Sequence, residues 1–380
     1  MIKHILRLGA LLCLLCLLCL PLPAVGETFL AVADLHLSGD GQGRRTAAEA
    51  VAAAAADADC VLVLGDSANN GRDGEHRLAM DFARLITERS GAPVLFIPGN
   101  HDYTRTLLSG DFALAYGAFG PDDAFSRDAA TASFALFKGE TCLIMLDTNG
   151  FDGAGNVLPD GGIASETLSW VRAVLDGLAP GTPVVACGHH PILPAARDAR
   201  TPGASALADI LRAYAVPIYL CGHDHGFHTV SEGGLTQVTV GQPHAYPGWA
   251  GLLTVGRDGD RFEACSLYPD SSDYFTALRS QAQDLARRMG EGTLRGTLYE
   301  GDPGAVDWFS GAFFEYLSGT LTQDKCRALL ANENCAKWRQ IETRTVVRDW
   351  IIGLLEDPPQ DVRLVLFHTR RDKMEAQPWP

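Results

Sequence analysis

The sequence predicts a layered α/β domain followed by a helical one, and three observations carry that expectation. From Thr28 to about Leu267, short apolar runs rich in β-branched residues alternate with amphipathic helical stretches. After about Tyr268 only helical periodicity remains. Polar residues of metal-ligating type stand at or just beyond the carboxyl ends of the apolar runs, where open α/β sheets place their ligands.

The elements follow in order. Residues 1–26 begin with Lys3 and Arg7, continue as an uncharged Leu/Cys run from Leu8 to Leu20, and close with Pro21, Pro23 and Ala24-Val25-Gly26. That is the make-up of a secretory signal peptide cleaved near Gly26. The Leu/Cys run falls short of the ~20 residues a spanning helix needs, so contact with a membrane is expected only in transit. Residues 27–267 are expected to form the α/β domain. Its strands are "TFLAVADLHL", "CVLVLGD", "APVLFIPGN", "ETCLIMLDTN", "PVVACGHH", "PIYLCGHDH" and "LTQVTVG", each bounded by turn residues. Its helices are "RRTAAEAVAAAAADA", "EHRLAMDFARLITERSG", "ASETLSWVRAVLDGLA" and "DILRAYA". Residues 268–380 are expected to form a helical domain from "DYFTALRSQAQDLARRMG", "GAVDWFSGAFFEYLSG", "TQDKCRALLANE" and "AKWRQIETRTVVRDWIIGLLED", with "VRLVLFH" as a closing extended segment.

Composition bounds the function. With 47% hydrophobic residues in 380, the chain can bury a sizeable core. A formal charge of −15 argues against a nucleic-acid polymer as partner, because such affinity comes from neutralising phosphates with Lys and Arg. A small anionic substrate stays open if metal ions supply local positive charge. Beyond the leader stand Cys60, Cys142, Cys187, Cys221, Cys265, Cys326 and Cys335, an odd set in which at least one thiol stays free or pairs between chains. Cys326 and Cys335 are the pair expected to bridge in an exported protein, across a turn near Asn332-Glu333-Asn334.

The strand-end residues carry the chemistry: Asp34 and His36 in "ADLHL", Asp66 in "LGDS", Asn100, His101 and Asp102 in "PGNHD", His189 in "CGHHP", and His223 with His225 in "YLCGHDHG". Each alone reads as a turn, a cap or a solvated loop. Five such endings in one domain read as a metal site. In extended backbone His223 and His225 would point to the same side and reach one point. Imidazoles with carboxylates, one of them bridging, are what two divalent cations a few ångströms apart require.

The order D-x-H, GD, GNHD, GHH, GHxH resembles the calcineurin-like metallophosphoesterase superfamily. The resemblance implies a β-sandwich flanked by helices, in four layers, and two divalent metal ions, with Mn, Fe, Zn and Ni all compatible. It makes Asp34, His36 and His225 ligands of one metal, Asn100, His189 and His223 ligands of the other, and Asp66 the bridge. His101 would serve the scissile phosphate or leaving group, with Asp102 behind it as an orienting carboxylate, and His190 would be a bystander. The segments "FALAYGAFGPDDAFSRD", "LIMLDTNG", "ETLSWVRAVLD" and "HAYPGWAGLLTV" resemble the exported bacterial branch related to class III cyclic nucleotide phosphodiesterases. Asn69 stands where purple acid phosphatases carry a tyrosine ligand, and "GDSANNG" departs from the GDxxDRG of protein Ser/Thr phosphatases. The implied activity is hydrolysis of a small phosphodiester such as a 3′,5′-cyclic nucleotide, by an exported enzyme. A broad phosphomonoesterase is the alternative, and a non-catalytic scaffold would have been marked by lost ligands. His244, Tyr246 and Trp249 in "HAYPGWAG" are candidates for lining the cleft, the other reading of that segment being a structural loop packed on the sheet.

Overall fold

The computed structural model describes residues 26–39, 41–104, 112, 116, 122–193, 201–256, 259–341, 346–358 and 364–367. The leader expected over residues 1–26 lies, apart from Gly26, outside the described residues. The strands in chain order are β1 (Glu27–Val32), β2 (Cys60–Leu64), β3 (Val94–Ile97), β4 (Ser126–Arg127), β5 (Phe134–Lys138), β6 (Thr141–Met145) and β7 (Val184–Cys187). They continue as β8 (Ile218–Cys221), β9 (His228–Glu232), β10 (Leu235–Thr239), β11 (Trp249–Gly256), β12 (Gly259–Ser266) and β13 (Leu364–Phe367). Helices α1 (Gly41–Ala54), α2 (Asp73–Ser90), α3 (Ser165–Gly177) and α4 (Ala204–Ala213) interleave with them. Helices α5 (Asp273–Leu294), α6 (Pro303–Leu317), α7 (Gln323–Leu330), α8 (Glu333–Arg339) and α9 (Val346–Glu356) follow.

Two sheets pack face to face, with strand orders β13-β12-β11-β1-β2-β3 and β4-β5-β6-β7-β8-β10-β9. Side chains such as Phe29, Leu62, Leu143, Val185 and Leu220 fill the space between them. The outer face of the first sheet is covered by α1 and α2, through Val51, Phe82 and Ile86. The outer face of the second is covered by α3 and α4, through Val171, Leu207 and Leu211. The result is a β-sandwich flanked by helices, four layers deep, with a helical region after it. Strand β2, "CVLVL", is buried at every position, the continuous apolar run of a parallel strand covered on both faces.

The structure adds strands that the periodicity did not announce. β11 begins in the segment "HAYPGWAGLLTV", pairs antiparallel with both β1 and β12, and packs the half-buried Trp249 against Phe227 at the edge of the core. β13, by contrast, lies in "VRLVLFH", where a closing strand or extended segment was expected, and it pairs with β12, so the end of the described chain returns to the first sheet. Among the described residues no helix is long and apolar enough to cross a membrane.

The helical region has its own core, with Trp338 fully buried, stacked on Phe309 at 4.7 Å and donating its indole N–H to the Ala305 carbonyl at 2.9 Å. The chain turns between α7 and α8, close to the turn expected near Asn332-Glu333-Asn334. The bridge across it is not formed: Cys326 and Cys335 are both free thiols, buried in the same apolar cluster as small hydrophobic side chains.

Candidate metal centre

The parallel strands β1, β2 and β3 of one sheet and β7 and β8 of the other deliver their carboxyl ends to one edge of the sandwich. Beyond β1 and β2 the pairing continues into the loops, with His36 N–H donating to the Asp66 carbonyl at 2.8 Å and Leu37 N–H to the Ser67 carbonyl at 3.0 Å. The polar residues are thereby held in register by backbone. Five of them, Asp34 (φ 54°), His36 (39°), Asp66 (50°), His223 (73°) and His225 (56°), adopt the left-handed region. Non-glycine residues enter that region at a cost of order 1–3 kcal/mol each, and such strain gathers at functional sites.

The left-handed backbone corrects the simplest reading of "GHDH". His223 and His225 do not converge on one point. His225 joins Asp34, His36 and Asp66 in one cluster of ligand-type atoms, and His223 joins His189 and His190 in a second; within each, one ligand atom per residue lies within 4.8 Å of the others. In the first cluster His36 Nε2 is 3.0 Å from His225 Nε2 and 3.6 Å from Asp66 Oδ2. In the second, His189 Nε2 stands 3.3 Å from the same Asp66 Oδ2. One buried carboxylate oxygen therefore faces both clusters.

The surroundings fit divalent ions. Asn100 Oδ1 and His189 Nε2 are buried with no hydrogen-bond partner, an arrangement that costs free energy unless a further group engages them. His189 Nδ1 donates to the Leu64 carbonyl at 2.8 Å, which fixes the tautomer that leaves Nε2 as the ligand atom. Burial holds the His36 imidazole down to about 3 and His225 down to about 4, so both rings are neutral lone-pair donors at neutral pH. Burial also works against charge on His189, yet the Asp66 and Asp34 carboxylates raise it to about 9. Asp66 in turn is held well below the usual carboxylate range, its burial outweighed by His189 and His36. The electrostatic demand at this point is for positive charge between the carboxylates.

His101 is exposed at the rim, with its ring edge-on to His36 at 4.7 Å. Its Nδ1 lies 2.8 Å from the Asn69 carbonyl, which can only accept, so Nδ1 carries the proton and Nε2 is left for other partners. The His101 backbone N–H donates to Asp66 Oδ1 at 2.8 Å, tying the rim histidine to the shared carboxylate. Asp102 does not orient His101. It accepts from the backbone N–H groups of Ser67 (3.2 Å), Ala68 (2.7 Å) and Gly99 (2.8 Å), and so staples the loop after β2 to the loop after β3. Burial, then the Asp66 charge, raises its carboxyl to about 7.

Two residues gain parts that the motifs did not assign. His190 is drawn into the second cluster, with Nε2 buried and without a partner, although its Nδ1 is held by Thr148 Oγ1 at 2.9 Å. Thr148 Oγ1 also accepts from the backbone N–H groups of His189 (3.3 Å) and His190 (3.1 Å), so one hydroxyl sets the whole "GHH" turn. Its signal in the sequence was available, since Thr148 follows the apolar run of β6 as the ligand-type residues follow theirs.

Gly99 offers a test of how closely the loops are fitted. A Cβ there would lie 2.2 Å from Asp66 Oδ1 and 2.4 Å from the Asp66 backbone nitrogen. Gly99→Ala is expected to displace Asp66, cost about 1–3 kcal/mol of stability and lower metal retention, as read by thermal melts with and without added metal. An unchanged melt and unchanged metal-induced shift would contradict this geometry.

Residues 27–227, more than half of the chain, match the calcineurin-like phosphoesterases. The glycerophosphodiester phosphodiesterase GpdQ of Enterobacter lignolyticus (strain SCF1) is 28% identical over 170 residues, covering 43% of this chain and 55% of that protein. Tartrate-resistant acid phosphatase type 5 of Rattus norvegicus is 27% identical over 182 residues, covering 44% of this chain and 54% of that protein. Among solved structures, purple acid phosphatase PPD1 from yellow lupin (Lupinus luteus) seeds aligns with a TM-score of 0.48 and 13% identity, over 65% of this chain and 53% of that one. The chain spans about half the length of the curated relatives it matches. With the two-sheet sandwich and the ligand-type clusters at its strand ends, the match places the chain in the calcineurin-like metallophosphoesterase superfamily, a family of metal-dependent phosphoester hydrolases.

Proposed function

We propose that the chain is a binuclear metal-dependent phosphodiesterase acting on a small phosphodiester. The observation that carries this reading is the position of Asp66 Oδ2, 3.6 Å from His36 Nε2 and 3.3 Å from His189 Nε2, between two groups of ligand-type side chains. Asp34, His36 and His225 would hold one ion, Asn100, His189 and His223 the other, and Asp66 both, with His190 beside the second group. Two divalent ions there would supply Lewis-acid charge and lower the pKa of water, the chemistry that phosphoester hydrolysis needs at neutral pH.

The chain's own residues do the rest. With two divalent ions bound, Asp34 and Asp66 would offset part of their charge and leave a net positive site for a phosphate within an acidic protein. In hydrolysis the oxygen of water forms a new P–O bond, the ester P–O bond breaks, and a proton ends on the departing oxygen. His101 Nε2 is placed to hydrogen-bond or protonate that oxygen, the ring being held from behind by the Asn69 carbonyl. Asp102 keeps the two loops in register without touching the reacting atoms.

The similarity to a glycerophosphodiester phosphodiesterase favours a diester substrate, and a 3′,5′-cyclic nucleotide is one small diester of that kind. The similarity to an acid phosphatase favours a second reading, a phosphomonoesterase of broad specificity. The leader-like segment at residues 1–26 supports an exported enzyme. Purified protein loaded with Mn, Fe, Zn or Ni is to be assayed on cyclic nucleotides, glycerophosphodiesters and aryl monoesters. Preferential cleavage of diesters is the expected result. Cleavage of monoesters alone would establish the second reading, and no cleavage with any metal would leave a scaffold that keeps the fold.

A further inference from the structure

A cavity of about 470 Å³ opens beside His223, Asp224 and His225 and extends against the helical region. On the strand side its wall is polar, with Gln242 and His244 joining the histidine loop. On the helical side it is apolar: Leu278, Leu285 and Met289 from α5, Phe313 and Leu317 from α6, and Trp350 from α9. Resting on the phosphodiesterase reading above, we propose that this cavity receives an apolar ester group of the substrate. The chain would then act on amphiphilic phosphoesters, with the phosphate at the metal centre and an alkyl chain between α5, α6 and α9.

Four features support the assignment. His223 and His225 are shared between the cavity wall and the two ligand clusters, so whatever fills the cavity lies next to a phosphate bound there. The helical wall is also fixed relative to the centre: Tyr316 on α6 donates its hydroxyl to the Asp224 carbonyl at 3.0 Å, and a Cβ at Gly226 would lie 2.6 Å from the Tyr316 ring. Leu285 is 43% exposed, an apolar surface in the cleft that a ligand would cover with a gain. Among the described residues that line the cavity none is Lys or Arg, and on the helical side the polar groups are few: the Gln281 amide, the Trp350 indole N–H, and the Tyr316 hydroxyl, whose proton is already given to the Asp224 carbonyl. The wall suits a hydrocarbon group better than a base.

The test is a series of nitrophenyl alkyl phosphates, methyl, butyl, hexyl and octyl, with the metal-loaded full chain. Each ester is cleaved by the same balance: water adds to phosphorus, nitrophenol leaves with a proton, and the alkyl phosphate remains. kcat/KM is expected to rise about three- to fourfold per methylene until the cavity is filled. In parallel, octyl phosphate and methyl phosphate are titrated into metal-free protein, with tryptophan fluorescence as the readout. Octyl phosphate is expected to bind at least a hundredfold more tightly and to shift the emission, and Trp350→Phe to lose most of that shift. Ala282→Trp, which fills the cavity from α5, is expected to flatten the dependence on chain length. Equal rates across the series, with the methyl ester cleaved, would overturn the inference and leave the phosphodiesterase standing. No cleavage of any ester at any metal load would overturn the phosphodiesterase reading, while the fluorescence titration still decides whether the cavity takes an alkyl chain.

Discussion

Asp66→Ala is expected to lower the metal content of the protein and to cut turnover on a phosphodiester by on the order of 10³ or more, since several kcal/mol of transition-state stabilisation depend on the metals. The reason lies in one atom's position. Asp66 Oδ2 faces His36 and His189 from between the two clusters, while Oδ1 accepts from the His101 backbone. Without the carboxylate, two dications held by the two clusters would repel each other with less compensation. Elemental analysis of the purified variant, alongside circular dichroism to show that the fold persists, checks the prediction. A folded variant with full metal content and unchanged turnover would remove Asp66 from its shared position.

His101→Ala is expected to behave differently. The variant keeps the backbone N–H that donates to Asp66 Oδ1, so the shared carboxylate stays in place and the metals should remain. What is lost is the ring, and with it the proton donor or hydrogen bond at the leaving oxygen, worth about 10²–10⁴ in turnover. The loss should shrink for nitrophenyl esters, whose leaving groups need less protonation. A variant that keeps full activity on an alkyl-oxygen leaving group would exclude the role. One that loses its metals would make His101 a structural neighbour of the site instead.

Much of the site was legible because strands announce themselves. Apolar runs that end in Gly-Asp, Gly-Asn-His-Asp or Gly-His place polar residues at sheet ends whatever the detailed fold, and the parallel order of β1, β2 and β3 then brings Asp34, Asp66 and Asn100 to one edge. The division of labour within "GHDH" was not legible from strand geometry. His223 and His225 occupy left-handed backbone, and histidine is not a residue that signals such a conformation. The orienting role that the resemblance implied for Asp102 gives way to another, because a buried carboxylate is drawn to unsatisfied backbone amides, here those of Ser67, Ala68 and Gly99. The antiparallel strands β11 and β12 were hidden in a segment rich in Gly and Pro. Of the cavity, only His244 and Tyr246 were anticipated as lining residues; the rest of its wall was not legible, because only the packing of α5, α6 and α9 on the histidine loop brings it together.

The most direct test of the account is to strip the protein of metal and follow hydrolysis of bis-nitrophenyl phosphate while Mn(II) is returned in known amounts. The account predicts no hydrolysis by the stripped protein, then activity that rises and levels off at two ions per chain. Failure to hydrolyse the diester at any metal load, or full activity at a single ion per chain, would contradict a catalytic centre built from two clusters around Asp66.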